Sequence, residues 1–173
     1  MLLHMILTVE DAHLSENHKK DIEKAFEQYY SMVYKLAFVR TGNKSDAEDI
    51  LSDVFVRLIK NIEKIQNDIH LKAWLIRTTI NCSNSALKRA GRLHQVRLTE
   101  VDAVIKEDNH SVLPAVLSLP INQKTVIYMF YFEGYSVEEI AKICGVKKGT
   151  VKSRLARARE SLKNTLEGED IDV

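Results

Sequence analysis

The chain runs 113 residues before its first proline, Pro114, and holds only one other, Pro120. Proline removes a backbone donor and clashes with the preceding helical turn, so a long stretch without it is free to stay helical. The apolar residues fall where helices need them. Ile22, Phe26, Tyr29, Val33 and Leu36 recur three and four apart, which predicts a helix over residues 15–40 that stops at the Thr41-Gly42-Asn43 turn. Ser45 with Glu48 three positions on forms a capping box, in which each side chain satisfies an amide left open at a helix start. The helix it opens carries Ala47, Ile50, Leu51, Val54, Leu58 and Ile62 on one side. A third helix is predicted from about Leu71 to Arg89.

Periodicity fades from Gly91 to about Asn109, where acids dominate, and this stretch reads as a linker. Helical spacing then returns. A short helix precedes Pro120, another covers residues 121–132, and Ser136 with Glu139 makes a second capping box for residues 137–143. Gly145 sits in a tight turn where a left-handed backbone costs glycine little, and a last helix follows over residues 148–166. The expected fold is all-α: two small helical domains, residues 15–92 and 111–168, joined by a linker over residues 93–110.

Composition narrows the class. With 45% apolar and 28% charged residues the chain is typical of soluble globular proteins, and no apolar run is long enough to span a membrane. The opening MLLHMILTVEDAH lacks the basic flank and cleavage site of a signal peptide, so a cytoplasmic location is expected. Cys82 and Cys144 lie far apart and form no CxxC, and the six histidines are scattered. Neither a disulfide, a metal site nor a cofactor is expected.

The net charge of +1 hides a sorted distribution. Residues 147–163 carry seven basic side chains against Glu160 alone, a net of +6. Lys88, Arg89, Arg92 and Arg97 form a second basic cluster. Acids gather at residues 98–111 and again after residue 166. Blocks of one sign point to a polyanionic partner.

A short capped helix, a glycine turn and a longer basic helix together make a helix-turn-helix. At 100° per residue Val151, Leu155, Ala158 and Leu162 form one stripe that must pack inward. Gly149, Ser153, Ala156 and Arg157 lie opposite, flanked by Lys152, Arg154 and Arg159. Small side chains on the floor and cations on the rims suit a helix in the DNA major groove. A solvated amphipathic helix would show the same wheel; the capped helix and turn before it favour the DNA reading.

At this point two segments resemble a known family. LPINQKTVIYMFYFEGYSVEEIAKICGVKKGTVKSRLARARESL is similar to the promoter-binding C-terminal domain of bacterial alternative sigma factors of the extracytoplasmic-function group. SDAEDILSDVFVRLIKNI followed by AWLIRTTIN resembles the N-terminal domain of the same group, in the expected order. The resemblance covers about Asp21 to Leu166. It implies that the last helix reads the minus-thirty-five element through Lys147, Lys148, Thr150, Lys152, Ser153, Arg154, Ala156 and Arg157. It implies minus-ten recognition by Ile65, Arg77, Asn81, Lys88 and Arg89, with Asn81 and the loop at residues 62–65 pocketing a flipped base. Core RNA polymerase would be bound through Asp49, Ser52, Asp53, Val56 and Ile59 on the β′ clamp helices, and also at the β flap. Promoter DNA and an anti-sigma protein complete the implied partners, and the linker would thread the polymerase channels.

The residues themselves leave simpler readings open. Asp46, Glu48, Asp49 and Asp53 favour the dipole of a helix N-terminus without any chemistry. Trp74 shares a side with Arg77, Thr78 and Asn81 yet fits a core position. Tyr29, Tyr30, Tyr34, Tyr128, Tyr131 and Tyr135 all have spacings that core packing explains. No catalytic residue is expected, because recognition and strand opening draw on binding energy. Two rivals stand beside a sigma factor: a stand-alone helix-turn-helix regulator, and a recombinase whose N-terminal half would be strand-rich.

Overall fold

Helices form where the apolar spacing requires them, and their ends show what the spacing left undecided. The computed structural model describes residues 14–90 and 112–169, among which there is no strand. The predicted linker lies outside the described residues. Helices α1 (Glu16–Thr41), α2 (Lys44–Ile59) and α3 (Asp68–Ala90) come first, with a short 3-10 turn at Ile62–Lys64. Then come α4 (Leu113–Ser118), α5 (Ile121–Ile127), α6 (Val137–Cys144) and α7 (Lys148–Glu169). They fall into two compact units: α1 as far as Phe38 with α2 and α3 in one, and residues 39–43 with α4–α7 in the other.

In the first unit α2 packs along α3. Leu51, Val54, Phe55 and Leu58 of α2 are fully buried with Leu75 and Ile76 of α3. Phe26 of α1 meets Phe55 edge-on, with ring centroids 4.8 Å apart. Truncating Phe55 to alanine would remove about 3–5 kcal/mol through lost burial and the cavity left behind. Thr79 and Ser83 are buried too, and both are satisfied locally: their hydroxyls donate to the carbonyls of Leu75 at 2.8 Å and Thr79 at 2.7 Å.

Two helix starts differ from expectation. α2 opens at Lys44, so Ser45 lies inside its first turn and is not the cap. Glu48 faces Lys44 one turn away, at 3.9 Å. α3 opens at Asp68, three residues before the expected Leu71, because Asn67 Oδ1 accepts from the His70 amide at 2.8 Å and caps the helix there.

In the second unit α5 runs along α7, and α4 and α6 also pack on α7. Val126, Met129, Ile140, Val151 and Ala158 are fully buried. The predicted helix over residues 121–132 is not uniform. After Ile127 it widens into a π turn, Tyr128–Phe132, closed by the Glu133 amide on the Tyr128 carbonyl at 3.2 Å. The wider turn buries Tyr128, whose hydroxyl donates to Glu133 at 2.9 Å; burial pushes that phenol well above its usual range. It also turns Tyr131 and Phe132 outward, 56% and 60% exposed, so the core reading of Tyr131 is corrected. Tyr30 is likewise 40% exposed, stacked on Tyr34 along the surface of α1.

Candidate nucleic-acid interface

The helix-turn-helix is built by two backbone devices. Ser136 Oγ accepts from the Glu139 amide at 3.3 Å, and Glu139 Oε2 accepts from the Ser136 amide at 2.8 Å. Both halves of the capping box thus form, and the Ser136 bonds hold the Glu139 carboxyl below the usual carboxylate range. At the other end Gly145 takes φ 67° and ψ 36°, the left-handed region, and the Val146 amide closes onto Ala141 O at 3.0 Å. A side chain at residue 145 would be strained by that backbone. The turn fixes where α7 begins and which way it faces.

α7 divides as its wheel predicts. Val151, Leu155 and Ala158 are at most 2% exposed, while Leu162 is half-buried. Lys147, Lys148, Gly149, Lys152, Ser153, Ala156 and Arg157 are exposed, with Thr150 and Arg154 half-buried between the two sides. A Cβ at Gly149 would meet nothing within 4 Å, so the outward floor is open there. Ser153 Oγ donates to Thr150 O at 3.0 Å, which leaves its lone pairs outward.

Two of the cations are tethered. Lys148 Nζ lies 2.8 Å from Glu138 Oε1 in the first turn of α6. The Lys148 hydrogen bond, with Lys152 adding its charge, holds the Glu138 carboxyl below its ordinary value. Arg159 Nε donates to Tyr131 Oη at 2.9 Å, and its guanidinium sits 5.9 Å from the ring centres of Phe130 and Tyr131. Arg159 is therefore turned toward the π turn, and the rim assigned to it from the wheel is missing that cation.

The second polar surface is on α3. Arg77, Asn81 and Lys88 are exposed on one stripe, spaced over about 16 Å at 1.5 Å per residue. Asn84, three residues past Asn81, is exposed on that stripe as well; its spacing was readable in the sequence. Arg89 is exposed beside it. Trp74 is half-buried and Thr78 is turned inward, 8% exposed. Ile62 and Ile65 line a cleft of about 320 Å³ together with His18, Lys24, Gln28 and Asn67. Asn81 is not among the residues that line this cleft.

On α2, Asp49 and Asp53 are exposed and Ser52 and Val56 half-buried. Asp53 lies 3.9 Å from Arg57, and Ser52 Oγ donates to Glu48 O at 3.1 Å. Ile59 is 5% exposed and packs inward beneath this face. Glu138 borders this candidate interface through its contact with Lys148, and its spacing gave no sign of it, since an acid in a first turn looks like ordinary dipole compensation.

Comparison with known proteins gives a consistent picture. Residues 25–93 match the Sigma-70 region 2 family and residues 110–162 match Sigma-70, region 4. The ECF RNA polymerase sigma factor SigM of Mycobacterium tuberculosis is 30% identical over 165 residues, 90% of this chain and 84% of that one. The ECF RNA polymerase sigma factor SigE of Mycolicibacterium smegmatis is 33% identical over 152 residues, 80% of this chain and 59% of that relative. In fold, the chain is similar to the sigma factor RpoE solved with the anti-sigma factor NepR from Bartonella quintana, with a TM-score of 0.70, 23% identity, and coverage of 89% of this chain and 99% of that one. These matches leave the stand-alone regulator without support, and the helical N-terminal half overturns the strand-rich recombinase.

Proposed function

The chain belongs to the extracytoplasmic-function sigma factors, and we propose that its two units divide promoter recognition between them. It binds core RNA polymerase and directs it to start transcription at selected promoters. In this reading α7 lies in the major groove of the minus-thirty-five element. Arg157 offers a planar guanidinium suited to a guanine edge, Ser153 a hydroxyl oxygen that accepts, and Ala156 a methyl for a thymine methyl. Lys147, Lys152, Arg154 and the Thr150 hydroxyl hold the backbone and set register.

The α3 stripe takes the opened minus-ten strand. Asn81 presents an amide to an unpaired base and Arg77 a cation beside it. Lys88 and Arg89 hold phosphates further along, and Ile65 supplies an apolar wall at the loop. Asp49, Ser52, Asp53 and Val56 form the polymerase-docking face for the β′ clamp helices, with Ile59 supporting it from below. The β flap and an anti-sigma protein are the further partners of this reading.

One observation carries it above the others: Lys152, Ser153, Ala156 and Arg157 are exposed together while Val151, Leu155 and Ala158 are buried. The test is size-exclusion co-elution with core RNA polymerase, beside an Asp53→Lys variant. Stoichiometric co-elution that the variant weakens supports the docking face. Wild-type chain that stays apart from polymerase would end the reading.

A further inference from the structure

Lys148 is the first residue of α7 and Glu138 lies in the first turn of α6, so their 2.8 Å contact joins the two starts of the helix-turn-helix. A cation at the start of a recognition helix is well placed to reach a phosphate. This one already has a carboxylate. We propose that Glu138 is a positioning residue that holds Lys148 off the DNA backbone, so the unit grips duplex DNA by one phosphate contact fewer than its basic residues allow. The inference rests on the reading of α7 as the duplex-binding helix.

Three features support it. The contact is between elements, not along one helix, so its geometry is set by the turn at Gly145 and not by local helical spacing. Glu138 also lies close enough to Lys152, one turn further along α7, for that charge to be felt at its carboxyl. Finally, both side chains are more than half exposed, at 60% and 51%. An exposed ion pair adds little to stability, so its presence is poorly explained by stability. Its effect on DNA is of another size. Each phosphate neutralised releases condensed counterions and steepens the dependence of binding on salt by about 0.9 in the log–log slope. A phosphate contact withheld lowers affinity for every sequence alike, which leaves the base contacts of Ser153 and Arg157 a larger share of the discrimination.

The experiment measures binding of the full chain to a short labelled duplex of arbitrary sequence by fluorescence anisotropy across a salt series. Glu138→Gln should bind roughly fivefold tighter at moderate salt, with a slope steeper by about 0.9. In the double variant Glu138→Gln/Lys148→Met the gain and the added slope should both vanish. An unchanged slope in Glu138→Gln, or a gain that persists without Lys148, would overturn the proposal. Arg157→Ala, measured on a duplex selected from a random pool by the reconstituted holoenzyme, separates the two layers. Lost preference for that duplex upholds the assignment of α7 whatever Glu138 does, and retained preference removes the assignment itself.

Discussion

The Tyr29 hydroxyl donates to Asp68 Oδ2 across 2.8 Å, tying the middle of α1 to the first residue of α3 over 39 positions of sequence. Gln28 Nε2 donates in turn to the Tyr29 oxygen at 3.0 Å. The bond pins the end of the loop that runs from Ile62 to Asn67, beside the cleft that Ile65 lines. Tyr29→Phe keeps the ring in its buried site and removes only the hydroxyl. It should cost about 1 kcal/mol in urea unfolding, the usual net worth of such a bond. Amide exchange in residues 62–68 should quicken more than in α2. An unaltered unfolding midpoint would mean that the bond carries no weight in solution.

The capping box at Ser136 makes a pH-dependent prediction. Ser136→Ala removes the acceptor for the Glu139 amide, and losing such a cap costs about 1 kcal/mol. The Glu139 carboxyl is depressed first by its bond to Ser136. A group whose folded value lies below its unfolded one contributes stability that is present above the unfolded value, near 4.3 for glutamate. That contribution is lost as pH falls through the folded value. The gap between wild type and Ser136→Ala should therefore be widest near neutrality and narrow as pH falls below about 4. Urea titrations at several pH values would show it, and a gap that widened in acid would reverse the sign.

Much of this arrangement is legible in the chain because it is local. The 3.6-residue period of Val151, Leu155 and Ala158 fixes the outward face of α7 before any tertiary contact is known. Ser136 and Glu139 announce their cap by spacing alone. What escapes is set across space or by competition. Tyr131 has the spacing of a core residue, yet the π turn rotates it out to meet Arg159 at 2.9 Å. Ser45 and Glu48 have the spacing of a capping box, but Lys44 stands one turn from Glu48. The family resemblance sets Ile59 on the docking face with Asp53 and Val56, whereas the inward stripe of Leu51, Phe55 and Leu58 extends to it and buries it. The Glu138–Lys148 contact depends on the angle of a turn, which no periodicity contains.

Within α7 the two kinds of DNA contact should separate. If Arg157 reads a base as proposed, Arg157→Ala should lower holoenzyme binding to its own promoter by about 10- to 100-fold, the worth of one good base contact, with little change on unrelated DNA. Lys152→Ala should weaken both alike and flatten the salt dependence by about 0.9 in slope. Footprinting of the upstream element across a salt series distinguishes the patterns. Equal losses on both DNAs from Arg157→Ala would reassign it to the phosphates.

Asn81 should act at a later step than Arg157. Its side chain is exposed on α3, in the unit that does not contain α7. If its amide meets an unpaired base, then Asn81→Ala leaves closed binding at the upstream element intact and slows strand opening. Loss of a good hydrogen-bonded base contact is worth about 1–3 kcal/mol, so the opening equilibrium should drop by roughly 5- to 150-fold. Permanganate reactivity of unpaired thymines reports opening, and upstream footprinting reports closed binding in the same sample. A promoter that already carries a mismatch at the minus-ten element needs less energy to open. On that template the Asn81→Ala defect should shrink but not vanish, because the base contact is still missing after the strands have parted. A defect confined to the upstream footprint would instead move Asn81 out of the strand-opening step.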